Sequence, residues 1–289
     1  MKHAVIALAA ILAVSTGFAQ EKTDTVKVGN FVIIKKNASG SDSKETRIQN
    51  DDRIINIKIN TDKKKKKRNI STNWWIMDLG FANYRDETNY GTAVPGNAYF
   101  RQLSTAAGPV NSNSYRLNTG KSSNVNLWFF MQKLNVANHV LNLKYGAGLE
   151  MYNFRYDSRI SYRKDINNMP YVFNDTVSFE KNKLYAGYLT VPVMLNIDFT
   201  PNSRKGFNLS AGVSAGYLIA SRNKQVSGER GKQKFKQNFD MEPWRLAAIA
   251  EVGLGPVRLY GSYSLNTLQK NNTRLEQYPY AVGVRFSNW

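Results

Sequence analysis

The chain has 289 residues, 42% hydrophobic and 21% charged, and 40 Lys and Arg against 21 Asp and Glu give a formal net charge of +19. Mean hydropathy is −0.47 and no apolar stretch reaches ~18 residues, which excludes a helical membrane span. The lack of cysteine excludes disulfides, thiolate metal sites and thiol nucleophiles, and only His3 and His139 could supply imidazole chemistry.

The chain opens with Lys2, an apolar run from Ala4 to Val14, and the small-residue site Gly17-Phe18-Ala19 before Gln20. A basic start, a short apolar stretch and a small-x-small site are the layout of a secretory signal peptide, here residues 1–19. Its removal leaves His139 as the one histidine. It also takes the protein out of the cytoplasm, so no nucleic-acid partner is expected despite the basic charge.

Residues 20–73 are polar, with two short alternating runs, Thr25–Lys36 and Arg53–Asn60, followed by Lys63, Lys64, Lys65, Lys66, Lys67 and Arg68. Such a block of like charges repels itself and stays solvated. A mostly flexible periplasmic segment with a Lys-rich linker is expected. The six cations are candidates to contact anionic lipid head groups.

From Trp74 to the C-terminus the pattern has period two. Alternating runs occupy residues 74–83, 124–134, 141–152, 188–199, 207–219, 244–254, 257–265 and 278–286. Strict alternation predicts strands with one apolar and one polar face. Their length, roughly 9–13 residues, suits a tilted strand that crosses a bilayer, which needs ~9–11. The connections 135–140, 200–206 and 255–256 are short, whereas 84–123, 153–183, 220–243 and 266–277 are long and polar. That alternation matches tight periplasmic turns and long extracellular loops. The expected fold is all-β: an eight-stranded antiparallel up-and-down transmembrane β-barrel over residues 74–289.

The polar faces carry Asp78, Lys144, Glu150, Asp198, Arg245, Glu251, Arg258 and Arg285. Unpaired charge is costly in a dry core, but an eight-stranded barrel has an interior just wide enough for side chains to fill. These eight residues are expected to form a lumen charge network that plugs the barrel. Toward the strand ends stand Trp74, Trp75, Phe199, Phe207, Phe286 and Trp289 on one side and Tyr217, Trp244, Tyr263 and Tyr278 on the other. They are expected to form membrane-interface girdles. Pro192 lies inside a strand run and predicts a bulge or bend, because proline removes a ladder donor.

The runs Tyr188-Leu189-Thr190-Val191-Pro192-Val193-Met194-Leu195, Tyr145-Gly146-Ala147-Gly148-Leu149 and Ser210–Tyr217 resemble those of the PorT-like outer-membrane β-barrel domain family. The resemblance covers Trp74–Trp289. It implies an outer-membrane location in a Gram-negative envelope, outer-membrane lipid as surroundings, and an accessory role in a secretion or surface-assembly machine. Trp289 is similar to the terminal aromatic read by the barrel-assembly machinery, although Ala281 stands where a glycine is usual and Trp289 breaks the parity of Val284 and Phe286.

No catalytic constellation, metal site or cofactor motif is expected. His139 falls in a predicted turn, and the acids Asp78 and Glu150 have no histidine beside them in the pattern. The function expected is structural or interactive, with envelope proteins as partners. A narrow transport or ligand-binding barrel is the alternative, and an outer-membrane enzyme a more distant one.

Overall fold

A computed structural model describes residues 68–90, 105–201, 206–254 and 257–287, together with the backbone of strands in 23–60 and at 101–102. The expected signal peptide, Lys63–Lys67 and Trp289 lie outside the described residues. The chain divides into two compact units, Met1–Lys67 and Arg68–Trp289.

In the first unit, strands β1 (Thr23–Val28), β2 (Phe31–Lys36), β3 (Ser43–Asn50) and β4 (Arg53–Asn60) pair in chain order as an antiparallel meander. The alternating run Thr25–Lys36 is thus two strands, with Val28 opposite Phe31.

The second unit is built on one large antiparallel sheet. Its strands are β5 (Ile70–Asp86), β7 (Ser123–Ala137), β8 (Leu141–Tyr156), β11 (Lys181–Asp198), β12 (Phe207–Ser227), β13 (Gly231–Lys236), β14 (Trp244–Leu254), β15 (Val257–Ser264) and β16 (Gln277–Phe286). The order is β11-β8-β7-β5-β16-β15-β14-β12-β13. In addition, β11 pairs with β12 from Lys181 opposite Val226 to Asp198 opposite Asn208. Three shorter strands, β6 (Arg101–Gln102), β9 (Ile160–Lys164) and β10 (Pro170–Asn174), form a separate sheet inside the long connections.

The turn between β7 and β8 falls where the sequence places it. Between β7 and β8, Asn138 and His139 have φ of 49° and 59°, the left-handed pair that a tight hairpin turn requires. His139 is therefore a turn residue, its amide donating to Asn135 Oδ1 at 2.7 Å.

Two local features differ from expectation. The register between β11 and β8 is the same on both sides of Pro192; pairing lapses over Val191 and Pro192 but no residue is inserted. Losing two rungs meets the missing N–H of proline without a bulge. The register shift of β11 lies instead at Gly187/Tyr188, against β12. The first strand also starts before Trp74, at Ile70. Trp75 has φ 55°, a rare backbone for a bulky residue. That kink turns Trp74 and Trp75 to the same exposed side, which breaks the alternation from which the strand start was read.

Side chains on the main sheet alternate between buried and exposed, and the exposed set is the apolar one. Leu195, Val213, Leu246, Leu259 and Val282 are each half or more exposed, at 57%, 57%, 50%, 54% and 59%. The buried face divides in two. Toward the short turns it is charged and polar. Toward the long connections it is an apolar and aromatic cluster that includes Tyr84, Tyr152, Phe154, Tyr156 and Leu184. Residues of the connections complete this cluster, among them Tyr115, Ile160, Tyr162, Phe239 and Met241. The connections that the sequence suggested were polar loops thus fold back onto the sheet, since burying these rings removes large apolar areas from water.

Candidate functional site

The charged half of the buried face is assembled from eight strands. Glu251 on β14 is its centre. Its Oε1 accepts from Lys144 Nζ on β8 at 2.7 Å and from Arg258 Nη1 on β15 at 2.8 Å, and its Oε2 accepts from Arg285 Nη1 on β16 at 2.8 Å. Arg285 also reaches Asp78 on β5, Nε to Oδ1 at 2.7 Å and Nη2 to Oδ2 at 2.8 Å. Asp78 Oδ2 accepts further from Asn126 Nδ2 at 3.0 Å and Trp128 Nε1 at 2.7 Å, both on β7. Arg258 is held from behind by Asn208 Oδ1 on β12 and Ser287 Oγ, each at 2.7 Å.

A second group lies beside the first. Glu150 Oε2 on β8 accepts from Arg245 Nη1 on β14 at 2.6 Å and from Thr190 Oγ1 on β11 at 3.3 Å. The remaining Arg245 donors go to Ser264 and Ser262 on β15, and its guanidinium lies over the Tyr152 ring at 4.8 Å. Between the groups is a void of about 20 Å³ lined by Glu150, Glu251, Arg285, Trp128 and Tyr260, room for about one water.

Seven of the eight charges named from the sequence are therefore buried and paired here. Asp198 is not among them. It sits in the last rung of β11, just before the chain turns at Phe199, 3.5 Å from Lys133, and its Oδ1 accepts from the Thr200 amide at 3.1 Å. A residue one rung from a turn serves the turn. Its partner Lys133 went unnoticed in the sequence, as did Asn124, Asn126, Thr190, Ser262, Ser264 and Tyr260. The parity of Asn124 and Asn126 with Trp128 was the available signal for the first two. Of the residues expected to form the aromatic girdles, Trp74, Trp75, Phe199, Phe207, Tyr217, Trp244, Tyr263 and Phe286 are exposed and Tyr278 is partly so. Several meet in pairs, Tyr217 with Trp244 at 5.1 Å and Phe199 with Phe207 at 5.4 Å between ring centres. Arg68 is exposed.

Nothing in this arrangement is free to do acid–base work. Each carboxylate accepts charge-assisted hydrogen bonds from cations, and no group of His, Asp or Glu among the described residues could hold a metal ion. What the geometry can do is fill and tie together the sheet. Residues 81–269, more than half of the chain, match the family described as outer membrane protein beta-barrel domain. The chain belongs to this family. As an outer-membrane β-barrel protein it is located in the outer membrane. Among solved structures, this outer-membrane protein is similar to the crystal structure of Neisserial surface protein A (NspA), at 13% identity over 77% of this chain and 100% of that one, with a TM-score of 0.30. No curated protein matches it. Outer-membrane placement explains the inverted surface, because an apolar exterior with a polar interior is the arrangement lipid demands.

Proposed function

We propose that this outer-membrane protein is a closed eight-stranded transmembrane barrel with a plugged interior and a structural or interaction role at the cell envelope. The observation that carries the reading is Glu251 held by three cations from three other strands. A carboxylate so engaged bridges the interior at the level where a pore would have to pass. The capping cluster of Tyr115, Tyr162 and Phe239 fills the other half. Long connections form the outer face, and β5 begins and β16 ends on the short-turn side, so the segment that precedes Ile70 belongs to the periplasm. There, Lys63–Arg68 would meet the inner leaflet's anionic lipids. Insertion by the barrel-assembly machinery fits the family. The PorT-like resemblance extends the reading to an accessory role in a secretion or surface-assembly machine.

Bilayer conductance of refolded protein tests the plug. No conductance steps are expected. A stable channel, narrowed or lost on replacing Arg258 or Glu251, would overturn the plug and locate the path. Crosslinking in cells with affinity capture tests the accessory role, which fails if only assembly factors are recovered.

A further inference from the structure

The strands of the main sheet continue beyond the exposed apolar belt. β11 has 18 residues and β12 has 21, where ~9–11 cross a bilayer. On the outward face of β11, Val193, Val191 and Leu189 are followed toward the long connections by Tyr185, Lys183 and Lys181.

The ladder sets those lysines in rows. Arg155 on β8, Lys183 on β11, Lys224 on β12 and Lys234 on β13 are successive register partners. Four cations thus stand side by side, about 5 Å per strand. The neighbouring row runs from Tyr185 through Arg222 to Lys236. Like charges directly opposite each other destabilise a sheet. No ion pair among the described residues relieves this one: Lys183 Nζ donates to Asn153 Oδ1 at 2.6 Å, a neutral acceptor. Arg222 lies over the Tyr185 ring at 4.4 Å, with its buried Nε donating to nothing. Burial, then the charges of Lys181, Arg222, Lys224 and Arg155, push the Lys183 ammonium down to about 8. The opposite face of this hairpin is already covered, as Asn182 and Gln225 donate to the Ile160 carbonyl of β9. Its outward face alone is open.

A sheet that keeps such a row needs an anionic counterpart. We propose that this outward face binds the phosphate groups of outer-leaflet lipid, with the acyl chains lying along Leu189, Val191 and Val193 below. Continuity of one face from apolar belt through Tyr185 to the cation row selects a lipid over a soluble anion. The proposal rests on the barrel orientation given above.

The test uses the full chain refolded in zwitterionic detergent, where the folded form is seen as a heat-sensitive shift in gel mobility. Bisphosphorylated lipid A is expected to raise the temperature at which the folded band is lost. Dephosphorylated lipid A and inorganic phosphate are expected to leave it unchanged. The triple variant K183Q/K224Q/K234Q is expected to bind lipid A roughly tenfold more weakly, yet to be as stable as the parent, or more so, without ligand. Undiminished binding by the variant, equal binding of the dephosphorylated lipid, or equal response to inorganic phosphate would each overturn the proposal. So would a variant less stable without ligand, which would assign the lysines to the fold. A chain with no folded band overturns the barrel itself; a folded band indifferent to lipid A overturns this proposal only.

Discussion

Arg285 and Asp78 stand directly opposite each other in the ladder between β16 and β5, and the guanidinium holds both carboxylate oxygens, at 2.7 and 2.8 Å. The pair is buried and bidentate, and it joins the last strand of the sheet to the first. Removing one member of such a pair leaves a charge without its partner, at a cost of ~3–5 kcal/mol. Arg285→Met is therefore expected to lower the urea midpoint of the folded gel band sharply. Arg285→Lys keeps the charge but loses the two-pronged geometry, and it is expected to fall between. A midpoint unmoved by R285M would mean the seam is held by the backbone alone.

The network around Glu251 makes a second, sharper case. The clustered residues are four bases (Lys144, Arg245, Arg258, Arg285) and three acids (Asp78, Glu150, Glu251), a surplus of one positive charge. Glu251→Gln leaves three cations facing a neutral amide, and it is expected to be more damaging than Lys144→Met. The double variant E251Q/K144M is expected to recover at least ~1 kcal/mol relative to E251Q, because neighbours in one network do not act additively. Strict additivity in a denaturation cycle would refute the coupling.

Close strand contacts give a third prediction. Gly80 and Gly283 are register partners, and a Cβ on Gly283 would stand 2.3 Å from the Leu79 carbonyl oxygen and 2.4 Å from Gly80 Cα. The Tyr260 hydroxyl fills the space above Gly80 and donates to Asn124 Oδ1 at 2.6 Å. Gly283→Ala is expected to destabilise by ~1–3 kcal/mol through overpacking. At Gly261 the nearest atom to an added Cβ is 4.0 Å away, so Gly261→Ala should leave the midpoint within ~0.5 kcal/mol of the parent.

The alternation from Trp74 onward made the sheet legible, because a period of two has few other physical causes at such length. The charges at Asp78, Lys144, Glu150, Arg245, Glu251, Arg258 and Arg285 could be placed on one face by parity alone. Which partner each would take could not, since that depends on stagger between strands far apart in sequence: Lys144 and Glu251 are 107 residues apart. The aromatic cap was missed for a different reason. Tyr152, Phe154 and Tyr156 continue the inward parity of Glu150 on β8, but their partners Tyr115, Tyr162 and Phe239 come from connections without periodicity. Only tertiary packing brings those rings together.

The outward face offers a test that separates lipid from water. Val213 is 57% exposed on β12, opposite Val193. At a water-exposed position Val→Arg changes stability by no more than ~0.5 kcal/mol. On the lipid face of an outer-membrane barrel the same change costs ~2–4 kcal/mol near the midplane. Val213→Arg is therefore expected to refold poorly into phosphatidylcholine vesicles and to show a lowered midpoint there. Leu265→Arg, near the strand end, is expected to be milder. Equal, negligible effects at both sites would argue against a bilayer around this surface.

Alkaline pH probes the cation row without mutation. The Lys183 ammonium is held at about 8 against an ordinary 10.5 by burial and by Lys181, Arg222, Lys224 and Arg155. Between those values the unfolded chain carries the proton and the folded one does not, so this group makes stability rise with pH across the window. Tyr90, Tyr115 and Tyr162, raised chiefly by burial, act the other way once unfolded tyrosine ionises near ~10. The difference in urea midpoint between parent and Lys183→Met should therefore be largest near neutral pH, with the variant the more stable. It should shrink by roughly pH 9.5, before the tyrosines intervene. A difference that stays constant from pH 7 to that point would show that the lysine is not crowded by its neighbours.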